Sequence, residues 1–160
     1  PEITFWLLGG LYSVTWREFL YVLPFALVGL VTVWLMRWRV NLLSLNDETA
    51  FSLGASLAKE RLVLLITIVS AAAALTAISG IIGWVGLIIP HIARRIAGAS
   101  AEKSIPVSML LGAAFTLISD NLARTLLPGE IPLGILTSAI GALLFMYLMM
   151  SIGLKVRHNE

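Results

Sequence analysis

Apolar positions gather into four long runs, roughly Phe19 to Met36, Leu62 to Ala93, Pro106 to Leu127 and Pro132 to Leu154. A helix needs about 20 apolar residues to span the hydrocarbon core of a bilayer, so the first, third and fourth runs each predict one crossing. The second, about 32 residues long, is too long for one crossing and short for two. Its second half is punctuated: in SGIIGWVGLIIPHIARRIAG, Ser79 to Gly98, three glycines (Gly80, Gly83, Gly86) precede Pro90, and a histidine and two arginines follow. Glycine clusters and proline break helices, which favours a turn inside this run.

The basic residues arbitrate, because Lys and Arg near span ends stay on the cytoplasmic side. Eleven must be placed. If the long run crosses once, they divide almost evenly between the two faces. If it crosses twice, only Arg17 and Arg124 fall outside and the rest lie inside. The sequence therefore predicts that the chain goes out along about Arg61 to Ser79, turns at the glycines and returns through a short helix ending near Arg94 and Arg95. Such a helix, from about Val85 to Gly98, covers only about 21 Å and has to be packed among other helices. The expected architecture is an all-α, polytopic transmembrane bundle of about five crossings. Residues 1–16 form a short outer segment, with Phe5, Trp6, Tyr12 and Trp16 as interfacial anchors beside Gly9 and Gly10.

Composition agrees with this topology and narrows the function. Hydrophobic residues make up 59% of the 160, charged residues 12%, and the mean hydropathy is +0.95, which is incompatible with a water-soluble globule. The net charge of +2 is small and its basic residues sit between apolar runs, so nucleic-acid binding has no support. Without cysteine, disulfides, thiolate metal sites and cysteine nucleophiles are excluded. No phosphate-binding loop and no nucleophile–base pair is visible, so any ATP is expected to be hydrolysed by another subunit. His91 has no second ligand at metal spacing, and a structural hydrogen bond on the short helix is the better expectation. The start at Pro1, without methionine or a signal peptide, suggests a piece of a longer chain.

The polar segment NLLSLNDETAFSLGASLAKERL, Asn41 to Leu62, is the longest inside loop. Asn46 is placed to cap a short helix with Asp47 and Glu48 in its first turn, and Gly54 to end it; Ser56 is placed to cap a second helix through Lys59 and Arg61. Two short cytoplasmic helices over 41–61 form either an ordinary ordered loop or a docking surface for a cytosolic motor domain.

Four strings together, VNLLSLNDETAFSLG (Val40–Gly54), SGIIGWVGLIIPHIARRIAG, ISDNLARTLLPGEIPLGILTSAIGALLF and the outer FWLLGGL, resemble the permease of bacterial ABC importers for iron-siderophores, haem, cobalamin and related metal chelates. The likeness covers nearly the whole chain, and 1–160 resembles the C-terminal half of a ten-crossing permease. It implies an inner-membrane location, no catalysis and no cofactor, cytosolic ATPase subunits, an extracytoplasmic substrate-binding protein and a second permease copy. By resemblance, the loop holding Asp47, Glu48, Ala50, Leu53 and Gly54 couples to the ATPase. The string departs from the family where Asn46-Asp47-Glu48 replaces a common Gly-Glu-Glu and Phe51 replaces Arg.

Arg124 matches an outer position that meets an acidic residue of the binding protein; its spacing from Asp120 equally allows an i,i+4 ion pair. Gly134, Thr137, Ser138 and Gly141 recur on one face of the last crossing. Close helix packing explains that stripe, and the resemblance adds a translocation path beside it. A non-transporting membrane scaffold stays as a rival reading, as does import of cobalamin, haem or molybdate. A proton-coupled carrier is weaker, with Asp120 alone as a candidate acid near one membrane edge.

Overall fold

A computed structural model of the chain describes residues 2–45, 49, 52, 57–125 and 131–157. Six helices lie among these residues: α1 (Glu2–Leu7), α2 (Trp16–Leu43), α3 (Leu57–Ser79), α4 (Val85–Ala97), α5 (Ala101–Thr125) and α6 (Leu133–Arg157). No strand occurs among the described residues. Helices α2, α3, α5 and α6 are each long and apolar enough to cross a membrane.

Helix α2 starts where the sequence offers a capping box. Thr15 is extended, its hydroxyl accepts from the Glu18 amide, and Glu18 Oε2 accepts from the Thr15 amide at 2.8 Å. The helix continues well past the apolar run, to Leu43, giving a rod of about 42 Å. Two cations bracket it. The Arg17 guanidinium lies 5.7 Å from the Tyr21 ring centroid, and that of Arg37 lies 4.5 Å from the Trp34 ring. Beyond them Arg39 pairs with Glu60 of α3 at 2.7 Å. Because α2 persists to Leu43 and α3 begins at Leu57, the inside connection is shorter than the loop of 41–61 expected from polarity. The expected caps Asn46, Gly54 and Ser56 lie outside the described residues, as does the first short cytoplasmic helix except for Thr49 and Ser52; the second is the start of α3, which holds Lys59 and Arg61.

The long second run does divide in two. After Ser79 the chain turns at Gly80, whose φ of +67° suits glycine and where a Cβ would strike the Trp6 carbonyl. Residues 81–83 are non-helical, and Trp84 then adopts a left-handed φ of +68° and opens α4. Gly86 lies inside α4, within the return helix expected from about Val85, and Trp84 rather than a glycine makes the final reversal. Hydrogen bonds fix the two ends. Gly10 N–H donates to Ser79 O at 2.8 Å, and Gly134 N–H to Gly9 O at 3.4 Å, which gathers 9–10, 79 and 134 at one end of the bundle. At the other end the α5 start meets Asn41 near the end of α2. Helix α4 therefore runs back from the end of α3 towards the end of α2, as the charge count required.

A 13-residue helix covers about 20 Å, less than the hydrocarbon core. The non-helical segment before it makes up the rest of the path between the two ends of the bundle. Trp84 rests against Gly141, about two turns into α6, so α4 starts some depth below the outer end while residues 80–83 occupy the remainder. Helix α4 is strongly amphipathic and packs on α5 and α6 with Ile88, Ile89 and Ala93 buried. Its other face is open: Leu87 and His91 are exposed, so His91 is not held in a buried hydrogen bond as the sequence suggested. Arg94 and Arg95 occupy the last turn, where positive charge complements the helix C-terminus.

Candidate functional site

Three regions carry the residues singled out in the sequence, and they lie at different depths. At the end taken as cytoplasmic, Asp47, Glu48, Ala50, Leu53 and Gly54 fall outside the described residues. The stem of their loop is described. Arg39 Nη1 meets Glu60 Oε1 at 2.7 Å, and Arg61 Nη2 donates to Leu43 O at 3.3 Å, so the two helix ends that flank the loop are tied across it. Asn41 extends this tie to a third place: its Oδ1 accepts from Ala101 N–H at 2.7 Å and its Nδ2 donates to Ser100 Oγ at 3.1 Å.

At the opposite end Arg124 Nε donates to Asp120 Oδ2 at 2.9 Å within the last turns of α5. The pair borders a small crevice with Gly10, Tyr12, Ile131 and Leu133. Arg124 keeps 47% of its side-chain surface exposed against 22% for Asp120, so the guanidinium retains donors that face outward. An exposed pair of this kind contributes about 0.3–0.5 kcal/mol to a helix. The ion pair thus orients Arg124 without consuming it.

From the same end, reaching down to Trp84 and Ser138, runs a cleft of about 460 Å³ whose lining includes Leu8, Ile81, Gly83 and Gly134. The four stripe residues of α6 divide by contact. Gly134 and Ser138 border the cleft. Thr137 is fully buried with its hydroxyl donating to Gly134 O at 3.2 Å, and Gly141 is buried beneath Trp84, where an added Cβ would lie 2.6 Å from the Trp84 Cβ. Gly134 also borders the turn after α1 and the non-helical segment after α3, since a Cβ there would meet the Leu8 and Ile81 carbonyls. The cleft is therefore walled on one side by backbone that belongs to no helix. In a membrane such backbone persists only when packed in protein or facing a water-filled space. Its wall is apolar apart from the Ser138 hydroxyl and carbonyl groups, which suits loose contact better than tight coordination. No group of three or more His, Asp or Glu side chains that could hold a metal ion occurs among the described residues.

Sequence reasoning missed two of these features. The left-handed Trp84 carries no signal, since bulky aromatics rarely adopt that conformation. Asn41 read as the first residue of a loop, although a polar amide one turn inside a helix end hints that its side chain has a partner elsewhere.

Comparison with known proteins adds to this geometry. The model of the FecCD transport family matches residues 1–151. The chain is 44% identical over 146 residues to the molybdate import system permease protein MolB of Haemophilus influenzae, covering 91% of this chain and 43% of that protein. It is 40% identical over 147 residues to a probable iron chelatin transport system permease protein of Helicobacter pylori, covering 92% and 45%. It is 37% identical over 147 residues to the Fe(3+) dicitrate transport system permease protein FecC of Escherichia coli, covering 91% and 44%. Among solved structures, an inward-facing conformation of a metal-chelate type ABC transporter superposes with a TM-score of 0.86 at 42% identity, covering 94% of this chain and 49% of that one. The chain spans less than half the length of the curated relatives it matches.

Proposed function

The chain belongs to the FecCD transport family, and on that premise we propose that it forms the C-terminal half of an inner-membrane permease that imports a ferric chelate. The observation that supports passage is the cleft beside residues 80–84, where non-helical backbone at membrane depth adjoins Gly134 and Ser138. Apolar walls with a single hydroxyl hold a bulky chelate weakly, and weak contact lets it leave as readily as it enters. Thr137 and Gly141 keep α6 close to Trp84 so that the cleft retains its shape.

Substrate reaches the cleft from an extracytoplasmic binding protein that docks an acidic side chain on Arg124. On the inner side, the loop of Asp47, Glu48, Ala50, Leu53 and Gly54 sits on a cytosolic ATPase subunit, which hydrolyses ATP and moves the loop. A second permease copy completes the path. Passage of molybdate is the second reading, favoured by the 44% identity to a molybdate permease.

Both readings are tested in proteoliposomes holding the full-length permease, its ATPase and its binding protein. ATP-dependent uptake of radiolabelled ferric citrate or ferric hydroxamate supports the first, and uptake of molybdate alone overturns it in favour of the second. A Glu48→Cys variant is expected to cross-link to the ATPase. Absence of a cross-link together with undiminished transport when residues 47–54 are rewritten would overturn the coupling role.

A further inference from the structure

We propose that Asn41 is a positioning residue that carries movement of the inner loop into the α4–α5 pair, and so to the cleft; this rests on the coupling role assigned above to the loop. The amide stands in the last turn of α2, one turn before the chain enters the loop at Ser44. Its own backbone carbonyl already accepts from the Ser44 hydroxyl at 2.7 Å, closing the end of α2. The side chain reaches elsewhere. Oδ1 takes the N–H of Ala101, the first residue of α5, and Nδ2 meets Ser100 Oγ.

The first amides of a helix have no partner within it, and the residue just before usually supplies one. Ser100 stands at that place, yet its hydroxyl is engaged with Asn41, and a residue some sixty positions earlier caps α5. The joint that Asn41 grips is Gly98–Ser100, between the last residue of α4 and the first of α5, with Gly98 at φ +89°. Helix α4 runs from that joint to Trp84 on the cleft wall. The two ties beside Asn41, Arg39 to Glu60 and Arg61 to Leu43 O, make the ends of α2 and α3 one polar frame around the loop. Asn41 joins that frame to the joint with one donor and one acceptor, a two-point contact that resists rotation where a single bond would allow it.

If loop and joint move as one block, cutting the two-point contact should let the ATPase cycle without turning α4. The test measures substrate moved per ATP hydrolysed, using the full-length permease with its ATPase and binding protein in proteoliposomes. Asn41→Leu, which fills similar volume without either bond, is expected to lower that ratio about tenfold while binding-protein-stimulated ATP hydrolysis stays within about twofold of the parent. Asn41→Asp keeps an acceptor for the Ala101 amide and offers a second oxygen to the Ser100 hydroxyl, so both contact points survive, with its negative charge favourable at a helix start, and it is expected to restore most of the ratio. A parallel fall of uptake and hydrolysis in Asn41→Leu, or an unchanged ratio, would overturn the proposal. If Asn41→Leu fails to assemble, Ser100→Ala removes only the Nδ2 partner, and an unchanged ratio there overturns it equally. Failure of the parent protein to transport, or of Glu48→Cys to cross-link to the ATPase, would count instead against the coupling role on which the proposal rests.

Discussion

Arg124 and Asp120 stand one turn apart on α5, a spacing legible in the sequence, and they do pair at 2.9 Å. The pair's small worth makes a clean experiment. If Arg124 serves only the helix, Arg124→Ala and Asp120→Ala should have the same slight effect. Docking instead predicts that Arg124→Ala weakens binding-protein association about tenfold while Asp120→Ala leaves it within about twofold, as read by surface-immobilised titration of the detergent-solubilised transporter. Trp84 gives a second test. Its left-handed φ disfavours any side chain, and it is held there by Gly141 under its Cβ and by Phe145, whose ring lies edge-on at 6.1 Å. Removing the indole costs packing in both Trp84→Ala and Trp84→Gly, but only glycine relieves the backbone. Trp84→Gly should therefore be more stable than Trp84→Ala by about 1 kcal/mol in thermal unfolding, the reverse of the order at an ordinary helix start. None of this was visible in the sequence, where Trp84 is one more apolar residue in a long run.

At the scale of elements, the returning helix was the most legible part of the fold, and the reason is electrostatic. Nine basic residues on one side forced a crossing that hydropathy left ambiguous, and Arg94 and Arg95 mark where it ends. What the charges could not convey is how a short helix crosses. Hydropathy is blind to whether apolar residues are helical or extended, so the contribution of 80–84 emerges only from the contacts of Gly80, Trp84 and Gly134. The six-residue α1 is a related case. Too short to persist alone, it is held by Trp6 Nε1–H donating to Ala77 O at 3.1 Å and by the Gly9–Gly10 bonds to Ser79 and Gly134. Trp6→Phe keeps most of the apolar ring and loses that bond, at a cost of roughly 1 kcal/mol. Faster hydrogen exchange confined to about residues 3–10 is the expected signature, and exchange rising equally in α5 would argue against it.

Across the molecule, large apolar side chains of α2, α3 and α6 lie exposed, among them Leu35, Leu65 and Leu143. Grooves of about 260 Å³ and 350 Å³ run along the α2–α3 pair, both bordered by apolar residues of these helices. Composition announced a membrane protein, but it does not distinguish a face that meets lipid from one that meets more protein, since both are apolar. The curated relatives are more than twice as long as this chain, which leaves room for further helices against one of these faces. The chain expressed by itself in detergent is expected to unfold well below the temperature at which the same residues unfold within a full-length permease. Equal melting temperatures would show that these faces need only lipid.

The two cations of α2 lead to a consequence for the membrane itself. Arg17 and Arg37, each laid on an aromatic ring, are about 30 Å apart along the axis, close to the thickness of a bilayer's hydrocarbon layer. The helix is thus a gauge cut to one membrane. In lipids with longer tails both charges cannot reach headgroups at once, and in shorter-tailed lipids α2 has to lean over to keep its apolar length covered. Because Asn41 fastens the inner end of that rod to the joint beneath the cleft, a lean in α2 becomes a displacement of α4. In full-length permease reconstituted in lipids of graded acyl length, import should then peak at one length and fall away on both sides, and a flat profile would show that α2 does not sense thickness.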